Sequence, residues 1–228
     1  MTRQEILVLP LQFNDILMGV SPSKENILKK IREALSHSTP LPFPQSEGNQ
    51  QVFQPLEQEI EIEFAEQFNK LQGKFIYCIN QQELAFQLGS LVKKQDWQKV
   101  YCVEDKLIAY AGFAISDRII KTDLANCDVS ITGCEYLVAR TGSIVMSSAK
   151  ASGRSVSVYA PIHICIAFTN QLVYDITDAL EALKKKYGNN LPSFITFATG
   201  PSRTADIEKT LVVGVHGPKE VYLFLVEA

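Results

Sequence analysis

The run KFIYCINQQELAFQLGSLVKKQDWQKVYCV, Lys74–Val103, decides how the chain is read. Lys74–Ile79 is aromatic, β-branched and apolar, the composition of a strand. Asn80-Gln81-Gln82-Glu83 then supplies a capping side chain with an acid three residues on, which opens a helix to about Lys94. Lys99–Val103 is a second strand, followed by a short helix around Asp105–Ala111. Strand, helix, strand in that order points to parallel βαβ units. Upstream, Ile60, Phe64, Phe68 and Leu71 stripe a helix near Leu56–Leu71, which Gly73 stops. Downstream, Ser143–Ser148 and Pro161–Phe168 are apolar β runs separated by the small polar loop Ala149–Arg154, as in a hairpin-like excursion. The alternation then resumes: a helix over Asp175–Tyr187 ended by Gly188-Asn189-Asn190, a strand at Phe194–Ala198, a helix near Ala205–Val213 and a last strand at Glu220–Val226. The pattern predicts an α/β fold, a single open, mostly parallel sheet with helices on both faces.

The front of the chain differs. Ser21 caps, and Pro22 fits the first turn of, a helix from about Ser23 to Ser36, with Ile27, Ile31 and Leu35 on one face. Pro40, Pro42, Pro44 and Pro55 follow within a Gln-, Ser- and Gly-containing linker that has little to bury. The expected organisation is a weakly ordered extension over 1–20, an N-terminal helix and Pro-rich linker over 21–55, and the main α/β domain over 56–228. Ile6–Leu9 is interrupted by Pro10, Gln12, Asn14 and Asp15, so neither a signal peptide nor a membrane span is expected.

A chain of 228 residues, 46% hydrophobic and 21% charged, is globular in composition and long enough to bury roughly 70–75% of its unfolded surface. Its net charge of −3 gives no footprint for nucleic acid, and Lys184–Lys186 falls late on a helix, where it complements the dipole. Five cysteines without a C-x-x-C exclude a disulfide framework and a self-contained iron–sulfur or zinc site. No metal or cofactor is expected, and the compartment is read as reducing cytoplasm. His163 alternates with Ile162, Ile164 and Ile166 and reads as a hydrogen-bonded core histidine. No G-x-S-x-G, H-E-x-x-H, P-loop or G-x-G-x-x-G occurs.

ATGPSRTADIE, Ala198–Glu208, is the first candidate site. It lies between a predicted strand and a predicted helix, where open α/β sheets hold ligands. Gly200 permits close backbone approach, Ser202 and Thr204 cap or donate, and Arg203 offers a planar fork to a carboxylate or phosphate. Asp206 either pairs with Arg203 or acts as an acid/base. The second candidate joins Thr132–Tyr136 to Arg140–Ser143, with Gly133 and Gly142 bracketing a helix-like stretch. There Thr141, Gly142 and Ser143 suit a small anion or a tight turn, and Glu135 is a general-base candidate or a surface residue of a first helical turn. His216, in the turn Val215–Pro218, is a third catalytic candidate.

Thr199–Glu227 resembles the C-terminal signature of the lactate-utilisation (LUD) domain family, in particular its lactate utilisation protein C branch. Gly133–Ser148, Ala160–Phe168 and Ser23–Leu35 fit the same pattern. Arg140 departs from it, standing where an acidic residue is expected, and Ser143 replaces a threonine. The resemblance implies a fold like glucosamine-6-phosphate deaminase, ribose-5-phosphate isomerase and the CoA transferases. It also implies a non-redox part in oxidising L-lactate to pyruvate beside iron–sulfur partner proteins. Three functions follow: a component holding a small anionic ligand at the strand ends, a transferase or isomerase of a CoA ester or sugar phosphate, and a docking subunit presenting its front helix.

Overall fold

The computed structural model describes residues 22–36, 55–111, 114–204 and 212–228. The chain divides between Gln54 and Pro55 into two units. In the first, helix α1 spans Pro22–Ser36 and leaves Ile27, Leu28 and Ile31 exposed. The expected Pro-rich linker and residues 1–20 lie outside the described residues.

The second unit starts with α2 (Ile60–Lys70), then β1 (Lys74–Cys78), α3 (Gln81–Lys94), β2 (Val100–Tyr101), α4 (Asp105–Ala111), β3 (Ile119–Ile120) and β4 (Val129–Thr132). The cap read from sequence is in place: Asn80 Oδ1 accepts from Glu83 N at 2.9 Å, and Glu83 Oε2 accepts from Ile79 N at 2.9 Å. Next come β5 (Tyr136–Val138), β6 (Ser143–Ser147), the short helix α5 (Val156–Tyr159), β7 (Ile162–Phe168), β8 (Leu172–Val173) and α6 (Ile176–Tyr187). The chain ends with β9 (Ile195–Ala198), β10 (Arg203–Thr204), β11 (Val212–Val213) and β12 (Glu220–Val226).

Six of these strands form one all-parallel sheet in the order β1-β12-β7-β4-β2-β3. Alternation along β12 sets the layers. Tyr222, Phe224 and Val226, with Ile164 and Ile166 of β7, face α3 and α4 in a core that includes Leu84, Leu88 and Trp97. Val221, Leu223 and Leu225, with Cys165 and Ala167, face the other way, onto Phe64 and Phe68 of α2 and onto Leu137, Ile144 and Met146 of a second sheet. That second sheet runs β8-β5-β6-β9, and its far side carries α6 through Val138, Val145, Ala179 and Leu183.

Helices therefore cover both faces, but the sheet is not single. β6 and β7 lie in different sheets, so the expected hairpin between them does not form. Gly133–Gly142 is not helix-like. It holds β5 and a 3₁₀ turn over Ala139–Thr141, because Tyr136–Val138 pairs antiparallel with Ser143–Val145. Of the helix expected near Ala205–Val213, residues 205–211 lie outside the described residues, and its end is not helical: Val212 and Val213 pair antiparallel with Thr204 and Arg203. β-branched neighbours ahead of Gly214, which sits at φ +81°, favour a strand and turn over a helix end.

Candidate functional site

The two segments singled out in the sequence do meet, and they meet on α2. Thr141 Oγ1 and Ser143 Oγ lie 2.7 Å apart, and Ser143 Oγ lies 2.8 Å from Thr199 Oγ1. Gly142 adopts φ +58°, and a Cβ built there would stand 2.7 Å from Phe68 N and 2.8 Å from the Gln67 carbonyl carbon. Gly200, at φ +80°, would meet Leu71 O at 2.8 Å. Both glycines let loops press on the backbone of the last turn of α2. Arg203 Nη2 donates to Leu71 O at 2.6 Å, a cation on the carbonyl-rich end of the helix, where positive charge is favoured. Ser202 ties the same loop to the Pro161–Glu220 end of the sheet: Ser202 N donates to Pro218 O and Gly214 N donates to Ser202 O, each at 2.9 Å. Thr204 is committed to the β10–β11 pair, and Asp206 lies outside the described residues. β9, which feeds this loop, belongs to the second sheet and runs antiparallel to β6. The loop is therefore not at the carboxyl end of a strand of the parallel sheet.

Glu135 is not a surface residue. Its side chain is fully buried, Oε1 accepts from Ser147 Oγ (2.7 Å) and Tyr187 Oη (2.8 Å), and Oε2 pairs with Lys186 Nζ at 2.6 Å. Burial pushes its pKa up. The donors from Lys186, Ser147 and Tyr187 together outweigh burial and hold the carboxyl below its usual range. Each oxygen is engaged, so Glu135 is a fixed anion tying α6 to the start of β5. Arg140, out of pattern in the sequence, has a local partner: Nε donates to Asp175 Oδ2 at 2.5 Å, and Asp175 caps α6 by accepting from Thr177 N at 3.1 Å. His163 is buried, with Nε2 2.8 Å from Thr132 Oγ1, and burial lowers its pKa to about 4. His216 is exposed beside Tyr159, Pro161 and Lys219, at the amino ends of β7 and β12. Glu135 and His216 thus share no site. All five cysteines are free and buried, and no group of three or more His, Cys, Asp or Glu side chains is placed to hold a metal among the described residues.

The carboxyl ends of β2, β4 and β7 open instead into a cleft of about 360 Å³, lined by Glu104, Lys106, Tyr110, Gly133, Lys150 and Gln171 among others. Gly133 and Cys134 leave β4 there, Gln171 follows β7, and Glu104 follows β2. Gln171 Nε2 donates to the carbonyls of Cys134 (2.7 Å) and Glu135 (3.2 Å), joining two of the exits. Glu104 is half-buried; its Oε1 accepts from Gly133 N at 3.0 Å and from the hydroxyl of buried Ser152. Its Oε2 stands 3.1 Å from where a Cβ on Gly133 would lie and takes no hydrogen bond among the described residues. Lys106 and Lys150 form no ion pair among the described residues. No sequence motif marks this cleft, although Gly133 belongs to the second candidate segment and Lys150 and Ser152 lie in the small polar loop Ala149–Arg154.

An all-parallel six-stranded sheet flanked by helices, with a polar cleft at its strand ends, defines an α/β protein of the open-sheet class. The LUD domain family model matches residues 86–226, and the chain belongs to that family. It is 39% identical over 124 residues to "Lactate utilization protein C" of Bacillus licheniformis, covering 54% of this chain and 51% of that protein. The protein of that name in Bacillus subtilis is 40% identical over 112 residues, covering 48% and 46%. The chain thus spans about half the length of the curated relatives it matches. A crystal structure of a DUF162 family protein from Deinococcus radiodurans shares the fold, with a TM-score of 0.57 and 18% identity over 73% of this chain and 96% of that one.

Proposed function

We propose that this chain is a non-redox component of an L-lactate utilisation system and holds a small anion in the cleft at the ends of β2, β4 and β7. The relatives named for lactate utilisation support the system, and iron–sulfur partner proteins would carry its electrons. The observation that carries the site is the pair of lysines, Lys106 and Lys150, lining a recess at the topological position where open α/β sheets take ligands. Its volume lies at the small end of the range for ligand pockets, about 300–1,000 Å³, which favours a short anion over a CoA ester. The alternative anion site is the loop holding Gly200, Ser202, Arg203 and Thr204 against Thr141, Gly142 and Ser143. Arg203 donates there to Leu71 O, which leaves less of the guanidinium for a ligand.

A thermal-shift screen over L-lactate, pyruvate, sugar phosphates and CoA species separates the two. At about a hundredfold excess over Kd a small anion adds about 2.7 kcal/mol, or roughly 5–10 °C in Tm for a chain of this size. The shift is expected in the wild type and in Arg203→Ala, and is expected to vanish in Lys150→Ala. Loss in Arg203→Ala alone would move the site to the loop. No shift with any small anion would remove the ligand-holding role.

The exposed Ile27, Leu28 and Ile31 of α1 favour a second role, docking to a partner protein. A chain lacking residues before Pro55 is expected to lose retention of the iron–sulfur partners in a pull-down while keeping its ligand-induced shift. Unchanged retention counts against docking.

A further inference from the structure

The cleft lining is bipolar. Beside Lys106 and Lys150 it includes one carboxylate, Glu104, whose Oε2 takes no hydrogen bond among the described residues, and an ionised carboxylate only accepts. Gly133 N–H and Ser152 O–H fix the other oxygen, so the carboxylate cannot turn without losing two hydrogen bonds. Gly133 leaves the space beside Oε2 bare, and a Cβ there would sit 3.1 Å from that oxygen. A ligand that satisfies both poles within about 360 Å³ is short, anionic at one end and a hydrogen-bond donor at the other.

We infer that the cleft selects a short hydroxy-carboxylate over the corresponding oxo-carboxylate, with Lys106 and Lys150 meeting the carboxylate and Glu104 Oε2 accepting the hydroxyl proton. This deepens, and rests on, the reading of the cleft as a small-anion site. The physical reason for selectivity is that an oxo group offers only lone pairs to Oε2, leaving two acceptors face to face, whereas a hydroxyl turns its proton toward the carboxylate. Sites built to bond a ligand hydroxyl reject analogues that lack it much more strongly than apolar pockets reject a missing methylene. The half-open setting of Glu104 puts the discrimination at about tenfold or more, the factor that 1.4 kcal/mol of binding energy supplies.

Titration calorimetry on the full chain with glycolate and L-lactate against glyoxylate and pyruvate tests this. The wild type is expected to bind the hydroxy acids at least about tenfold tighter than their oxo partners. In Glu104→Gln the amide oxygen remains on Gly133 N–H, which turns the amide NH₂ into the cleft. That donor serves an oxo oxygen and a hydroxyl oxygen alike, so the preference is expected to fall to within about twofold through a gain in oxo-acid affinity. A gain of binding cannot come from impaired folding. Equal wild-type affinity for the two classes overturns the inference and leaves the small-anion reading standing. A parallel loss of both classes in Glu104→Gln also overturns it, since Glu104 would then only support the loop. Absence of wild-type binding to all four acids removes the small-anion reading itself.

Discussion

Gly142→Ala is expected to destabilise the chain by about 2–5 kcal/mol, combining a left-handed residue with a Cβ, about 1–2 kcal/mol, and overpacking, about 1–3 kcal/mol. The added methyl would stand 2.7 Å from Phe68 N, inside a helix whose Phe64 and Phe68 rings are fully buried, so no flexible side chain can yield. Gly153 is the internal control. It has nearly the same backbone angle, φ +61°, but nothing within 4 Å of a built Cβ, so Gly153→Ala should lose only the backbone contribution. Urea denaturation with an unchanged m-value measures both. Equal losses would mean that the approach of the Thr141–Ser143 turn to α2 is not a structural requirement.

The second large effect is a pH dependence centred on His163. Burial lowers its folded pKa to about 4, while the unfolded value is about 6.5. Below pH 6.5 the unfolded chain takes a proton that the folded imidazole refuses until about pH 4. Stability from this residue is therefore complete above pH 6.5 and is lost as pH falls toward 4. At about 1.36 kcal/mol per pH unit the full loss is about 3 kcal/mol, of which about 2 kcal/mol falls between pH 6.5 and 5. Glu135 is held below its usual carboxylate range, so it contributes above the carboxylate range and its own loss comes at lower pH. His163→Gln should flatten the denaturation midpoint between pH 6.5 and 5, and a wild-type slope retained in that variant would place the proton uptake elsewhere.

Elements governed by local chemistry were legible in the sequence. Asn80 and Glu83 announce α3, Asp175 announces α6, Gly188 ends it, and the apolar run Glu220–Val226 is the strand that the structure shows. The second sheet was not legible, because β5 and β8 are three and two residues long and its β5–β8 and β6–β9 pairings join distant parts of the chain. Pairing across such distances leaves no period in the sequence. Arg203 illustrates the same limit. Its charge and flanking Gly200 suit an anion, but its acceptor, Leu71 O, lies 132 positions away. Glu135 misled for a related reason: the donors that bury it come from Ser147, Lys186 and Tyr187, so its isolation in the sequence implied an exposure it does not have. The cleft escaped notice because Glu104, Gly133 and Lys150 are each ordinary loop residues until three parallel strands end side by side.

The order of the strands has a consequence for unfolding. The chain leaves β4 to lay down β5 and β6 before returning as β7, then leaves again through β8, α6 and β9 before returning as β12. Each visit to the smaller sheet is stitched between adjacent strands of the larger, so neither can come apart while the other stays whole. Native-state hydrogen exchange should find amides of β6 and β7 opening at one common free energy, a single foldon woven from two sheets.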